Sequence, residues 1–293
     1  MDQKKRIAAF IFLPIFMISL MFRAPSLLAE ADTMYDTTLQ EEDVEISPYA
    51  SLKNIPKRYL SDAWYILKSP ARIDKSDIIP LAVVIGGTAC LMAADRSIQG
   101  FLRKDIQDED AADALGEIKF LGDGVWEGAI CGGFYVGGLM MRNEKWKEIA
   151  IAGGESLLIA GGISQAIKNL SGRYRPSAGE GSSKWRGPTT ESSISFPSGH
   201  ATMAFALASV VATVYDENIF IGIASYGTAS VVAFERMYSD SHWASDVFLG
   251  AAIGTFVGRS LVTRNRNNKG SLAVVPVYDP DDDMLGVAMG KKF

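Results

Sequence analysis

Residues 168–246 carry KNLSGRYRP (168–176), FPSGH (196–200) and ERMYSDSHWASD (235–246), three polar clusters that punctuate four apolar segments. Both histidines of the chain, His200 and His242, fall inside the clusters. The four segments lie near 148–167, 200–215, 219–235 and 243–263, and two more lie upstream near 78–94 and 125–141. Each is long enough for a helix and none alternates as a strand would, so the fold class read from the chain is all-α, a six-helix up-and-down bundle. Lys168 ends the third helix, Ser198, Gly199 and His200 open the fourth, Arg236 ends the fifth, and His242 and Asp246 open the sixth. In such a bundle these ends and starts share one pole, so the three clusters converge.

The residue types at that pole suit an oxyanion. Between 168 and 186 there are five basic residues, Lys168, Arg173, Arg175, Lys184 and Arg186, against the single acid Glu180. Lys168 and Arg175 supply cationic donors, and Arg236 brings a guanidinium fork from another helix. Ser198 and Gly199 offer backbone N–H groups at a helix start, where the dipole adds partial positive charge. His242 and Asp246, four apart, share a helix face. A carboxylate on one ring nitrogen fixes the tautomer and frees the other nitrogen for nucleophilic attack, while His200 donates a proton to a leaving oxygen. Each cluster alone is ordinary, a helix-start turn or a surface His–Asp pair. Their conjunction carries the reading. Three cations would oppose a metal ion placed among His200, His242 and Asp246, so no metal and no cofactor is expected.

Lys168-x6-Arg175-Pro176, Pro197-Ser198-Gly199-His200 and Arg236-x5-His242-x3-Asp246 resemble the three-part signature of the phosphatidic acid phosphatase type 2 superfamily. That superfamily includes membrane lipid phosphatases, bacterial nonspecific acid phosphatases and vanadium-dependent haloperoxidases. The resemblance spans roughly residues 77–263. It implies that Lys168, Arg175 and Arg236 bind phosphate with help from Ser198 and Gly199. It also implies that His242 forms a phosphohistidine, Asp246 supports it and His200 is the acid. One position departs: the family usually has Ser before the third-cluster Arg, and here Glu235 stands there. The expected activity is a metal-independent phosphatase acting on a phosphate or diphosphate ester, with a phosphorylated lipid as substrate. A noncatalytic anion-binding membrane protein and a vanadium-dependent haloperoxidase are the competing readings.

Outward from this stretch, Lys4-Lys5-Arg6, the apolar run 7–22 and Ala29-Glu30-Ala31 read as a signal peptide over 1–31. Residues 32–76 form a polar leader and an amphipathic helix. The leader has six acids and no base over 32–45; in the helix, Leu60, Ala63, Trp64 and Leu67 recur at helical spacing. That helix either lies on a membrane surface or packs on the core. Residues 77–264 are the catalytic helical domain and 265–293 a tail with a hairpin, its strands near 272–278 and 285–289. Between 95 and 124 the chain reads as a polar connection with a short helix near 111–120, and the long link 171–196 as a lid or rim.

In the third helix, Ile151-Ala152-Gly153-Gly154 recurs as Ile159-Ala160-Gly161-Gly162, a small-residue face suited to close packing of membrane helices. Glu155 in that helix must face the bundle interior if the helix spans. Cys90 and Cys131 read as buried thiols. A net charge of −5 and the lack of a long basic run argue against a nucleic-acid partner. The expected location is a bacterial cell envelope, as an exported, integral membrane protein.

Overall fold

The computed structural model describes residues 55–108, 115–191, 193–269, 272–279 and 284–291. The expected signal segment, the acidic leader and the start of the short helix near 111–120 lie outside the described residues. The long helices are α1 (Ile55–Leu67), α2 (Ile78–Phe101), α3 (Gly124–Met140), α4 (Glu144–Ser171), α5 (Gly199–Val214), α6 (Ile219–Tyr238) and α7 (Ala244–Lys269). The fold is all-α apart from a C-terminal hairpin, in which β1 (Leu272–Asp279) pairs antiparallel with β2 (Met284–Lys291). Helix α1 is the amphipathic segment, and α2 to α7 stand where six apolar helices were expected.

The helix boundaries have local causes. Asp123, Asn143, Ser198 and Asn218 cap α3, α4, α5 and α6, their side chains accepting N–H bonds of the first turn. Gly172 ends α4 in the left-handed region, with φ 61° and its N–H on the Lys168 carbonyl. A side chain there would run into the Gly187 carbonyl oxygen, 2.2 Å from the Cβ position.

Helix α5 is the centre of the packing, bordered by α4, α6 and α7. Its closest partner is α7, which presents Gly250, Gly254 and Gly258 to it. A Cβ at Gly254 would stand 2.1 Å from the Thr202 carbonyl oxygen, and one at Gly250 2.6 Å from that of Ser198. The missing side chains let the two backbones touch, and the Ser198 N–H donates to the Asp246 carbonyl at 2.9 Å. The repeat in α4 works likewise on its other flank. Gly153 faces Cys131 and Leu207, and Gly161 faces Met203.

Two expectations need correction. Helix α2 does not end near 94: it runs to Phe101 and on through a π-helical turn, Leu102–Ile106. Asp95 and Gln99, read as the start of a polar connection, are helical and buried because each has a partner deep in the fold. Cys131 is buried but Cys90 is exposed, and both are free thiols. Among the described residues, three helical stretches are long and apolar enough to cross a membrane: Ile78–Ile106, Glu144–Ser171 and Ala244–Asn267. Glu155, inside the second, faces the interior and pairs with Arg58.

Candidate active site

Five segments deliver side chains to one place. Lys168 stands in the last turn of α4, Arg236 in the last turn of α6, and His200 in the first turn of α5. Arg175 follows α4 in the link, its Nε donating to the Ile194 carbonyl at 3.4 Å. His242 occupies the turn before α7, where its N–H and that of Ser241 both close on the Arg236 carbonyl. That turn is pinned to α2, because Asp240 accepts from Gln99 and from Arg103 Nε at 2.9 Å.

Lys168, Arg175, Gly199, His200, Arg236 and His242 line a common cavity of about 480 Å³. The segment Gly122-Asp123-Gly124, Gln165, Glu191 and Met203 complete much of its wall. The long link supplies Thr190, Glu191 and Ile194, so it forms a rim rather than standing apart. Ser198 and Asp246 are fully buried beside the cavity. The Ser198 N–H is committed to the Asp246 carbonyl and its hydroxyl caps α5, which leaves Gly199 as the part of that turn at the wall.

Asp246 is reached from three sides. Arg173 Nη1 donates to Oδ1 at 2.6 Å, the Trp243 N–H donates to Oδ2 at 2.8 Å, and the Ser195 hydroxyl donates to Oδ2. His242 Nδ1 lies 3.8 Å from Oδ2 and 3.3 Å from Ser195 Oγ. The carboxylate therefore acts on the imidazole at ion-pair distance with a hydroxyl beside the gap, not by the direct hydrogen bond the sequence implied. Acceptors on this side favour a proton on Nδ1 and leave Nε2 unprotonated. Burial pushes the His242 pKa down to about 4, against the pull of Asp246, so the ring is neutral at ordinary pH.

Arg173 was read only as one of several bases, yet it is the largest fully buried side chain described. Its Nη2 donates to Asp95 Oδ2 at 2.7 Å and its Nη1 to Ser245 Oγ at 2.7 Å; the Ser245 N–H donates to Asp95 Oδ1 at 3.0 Å. One guanidinium thus ties α2 and α7 together behind His242. The usable sequence signal was Asp95: a carboxylate at the end of an apolar run, on a helix facing the core, needs a cationic partner. Ser195 gave no signal. Glu235, the departure beside Arg236, is buried and its carboxylate is bonded to the Arg236 guanidinium. Among the described residues no three His, Cys, Asp or Glu side chains gather as metal ligands.

With the clusters drawn together, comparison with known proteins becomes informative. Residues 150–269 match the family model of the PAP2 superfamily. The match covers all three clusters, and the recognition made from them stands. The chain is 31% identical over 118 residues to a lipid A 1-phosphatase of Porphyromonas gingivalis. That alignment takes in 40% of this chain but spans only 24% of the relative's length. Among solved structures, the chain resembles a transmembrane PAP2 type phosphatidylglycerolphosphate phosphatase from Bacillus subtilis, with a TM-score of 0.46 and 18% identity, over 63% of this chain and 94% of that one. It also resembles Aquifex aeolicus LpxE, with a TM-score of 0.41 and 20% identity, over 58% of this chain and 94% of that one.

Proposed function

We propose that this chain is an integral membrane phosphatase that hydrolyses a phosphate or diphosphate ester of a lipid through a phosphohistidine on His242, within a catalytic unit over 77–264. The observation that carries this reading is the single cavity that holds three cationic side chains and both histidines of the chain. Lys168, Arg175 and Arg236 engage the nonbridging oxygens and stabilise the charge that develops as phosphorus is attacked. The neutral His242 Nε2 attacks phosphorus, the bond from phosphorus to the ester oxygen breaks, and His200 gives its proton to that oxygen. The Nδ1 proton stays on His242, facing Ser195 and Asp246, whose negative charge offsets the cationic phosphoimidazole. His200, now neutral, takes a proton from water as its oxygen attacks phosphorus. The P–N bond breaks, phosphate leaves, and His242 returns to its starting form. Burial, with Arg236 nearby, pushes the His200 pKa down to about 4, and the bound phosphate's negative charge raises it again toward the protonated form that the first step requires.

Two observations support a lipid substrate. Phe120, Val125 and Trp126 are exposed beside Gly122-Asp123-Gly124 in the cavity wall, an apolar lip with the Phe120 and Trp126 rings edge to face at 5.5 Å. The relative named for lipid A also acts, by its name, on a lipid phosphate. The test is turnover of a generic phosphomonoester and of a phosphorylated lipid by His242→Ala. Loss of at least about a thousandfold in kcat is expected, since the covalent route goes with the nucleophile. Near wild-type turnover would overturn the mechanism.

A further inference from the structure

Helix α1 is amphipathic in the reverse sense from a helix packed on a water-soluble core. Its inward side holds Asp62 and Ile66, both buried, while Leu60, Trp64 and Leu67 point outward with 74, 59 and 61% of their surfaces exposed. Charge seats the inward side. Arg58 Nη2 lies 3.1 Å from Glu155 Oε2 of α4 and Arg58 Nε 3.6 Å from Asp62 Oδ2. Arg264 of α7 reaches Asp62 Oδ1 at 3.1 Å and donates to the Ser61 carbonyl and hydroxyl at 3.1 and 2.9 Å. Two guanidinium groups thus face two carboxylates against the bundle, and the stripe that water would drive inward is turned out.

The docking points fix where this happens. Glu155 precedes Lys168 by thirteen residues on α4, and Arg264 follows Asp246 by eighteen on α7. At about 1.5 Å per residue these are about 20 and 27 Å, and Ile66 packs with Ala160, Ala206 and Val257 nearer the middle, so α1 lies along the half of the bundle away from the cavity. Helix α1 stands beside apolar surface of membrane-spanning character. The neighbouring stretch Ile78–Ile106 is strongly apolar, and few of its residues are buried within the fold. A largely apolar groove of about 450 Å³ lies between the end of α1 and this stretch, lined by Tyr65, Ile73, Leu81, Val84, Ile253 and Phe256 with Arg72 and Asp77 at its polar side. Cations edge the stripe. Lys57, Lys68 and Arg72 are exposed, Lys68 Nζ stands 4.6 Å over the Trp64 ring, and the Arg72 guanidinium 3.7 Å over the Tyr65 ring. Basic heads on apolar stems, with tryptophan at the boundary, match an anionic lipid interface.

We propose that α1 lies in the leaflet opposite the cavity, with Leu60, Trp64 and Leu67 among acyl chains and Lys57, Lys68 and Arg72 among anionic headgroups. The buried ion cluster holds the helix flat against the bundle, so the chain grips both interfaces of the bilayer.

The test uses the full chain with Cys90→Ser, reconstituted in vesicles of phosphatidylcholine and phosphatidylglycerol. Nitroxide labels are placed at Leu60→Cys, Trp64→Cys or Leu67→Cys, with Lys57→Cys as reference. The three stripe positions are exposed, so the labels displace no packing. Oxygen should relax labels at 60, 64 and 67 several-fold more effectively than a water-soluble nickel chelate does, with the order reversed at 57. Dominant access by the chelate at the stripe would place it in water, and exclusion of both relaxers would place it against protein, a second copy included; either result overturns the proposal. No catalytic readout enters, so this outcome is separate from that of the phosphatase reading.

Discussion

Arg173 and Arg175 stand two residues apart in one basic run, yet only Arg175 lines the cavity. Arg173 spans Asp95 and Asp246 with a fork that a point charge cannot reproduce. Arg173→Lys is therefore expected to lower kcat about tenfold to a hundredfold with KM nearly unchanged, because the loss falls on the orientation of His242 and not on phosphate binding. A change confined to KM would place Arg173 in substrate contact instead. Glu235 presents the opposite case. Its carboxylate occupies the Arg236 guanidinium that the proposed clamp needs. In Glu235→Gln the inhibition constant for inorganic phosphate or vanadate should fall about tenfold, the low end of what one charge-assisted hydrogen bond is worth. An unchanged or weaker inhibition would mean that Arg236 is not held back by its neighbour. The gathering of Lys168, Arg175, Gly199, His200, Arg236 and His242 around one cavity was legible because motif spacing and helix parity are local properties of the chain. Arg173 and Ser195 were not, since their partners are 73 and 51 residues away and no spacing rule connects them.

The helices themselves were visible as apolar runs, while the caps Asp123, Asn143 and Asn218 and the stop at Gly172 emerge from the structure. Less visible was which helices touch. The repeat in α4 announced close packing, but the tighter contact is that of α5 with α7 through Gly250, Gly254 and Gly258, a stripe spaced by four within a less apolar run. At Gly254 the obstructing atom is backbone, which no rotamer change can clear. Gly254→Ala should lower stability by about 1–3 kcal/mol, seen as a lower thermal midpoint in detergent. Gly162→Ala, with open space at its Cβ, serves as the control. Equal midpoints for the two variants would show that α5 and α7 are not in backbone contact. The end of α2 was misplaced for a related reason. Asp95 and Gln99 look like solvent-facing residues until Arg173 and Asp240 are brought to them, and local composition carries no information about such distant partners.

Taken whole, the molecule separates two tasks along the bundle axis. One pole gathers both histidines and three cations around a cavity; the half away from it holds α1 by a buried ion cluster and turns the apolar stripe of that helix outward. The all-α architecture and the convergence of the clusters followed from periodicity and parity. The orientation of α1 did not, because an amphipathic pattern specifies two faces without saying which one is buried. In the proposed reaction His242 carries the phosphoryl group during turnover. Its most direct test is rapid denaturation of the enzyme while it turns over a substrate labelled in the transferred phosphate, followed by mapping of the labelled peptide. Label is expected on His242, where it survives base and is lost in acid, and none in His242→Ala. Turnover with no trapped label, or label that persists in His242→Ala, would contradict it.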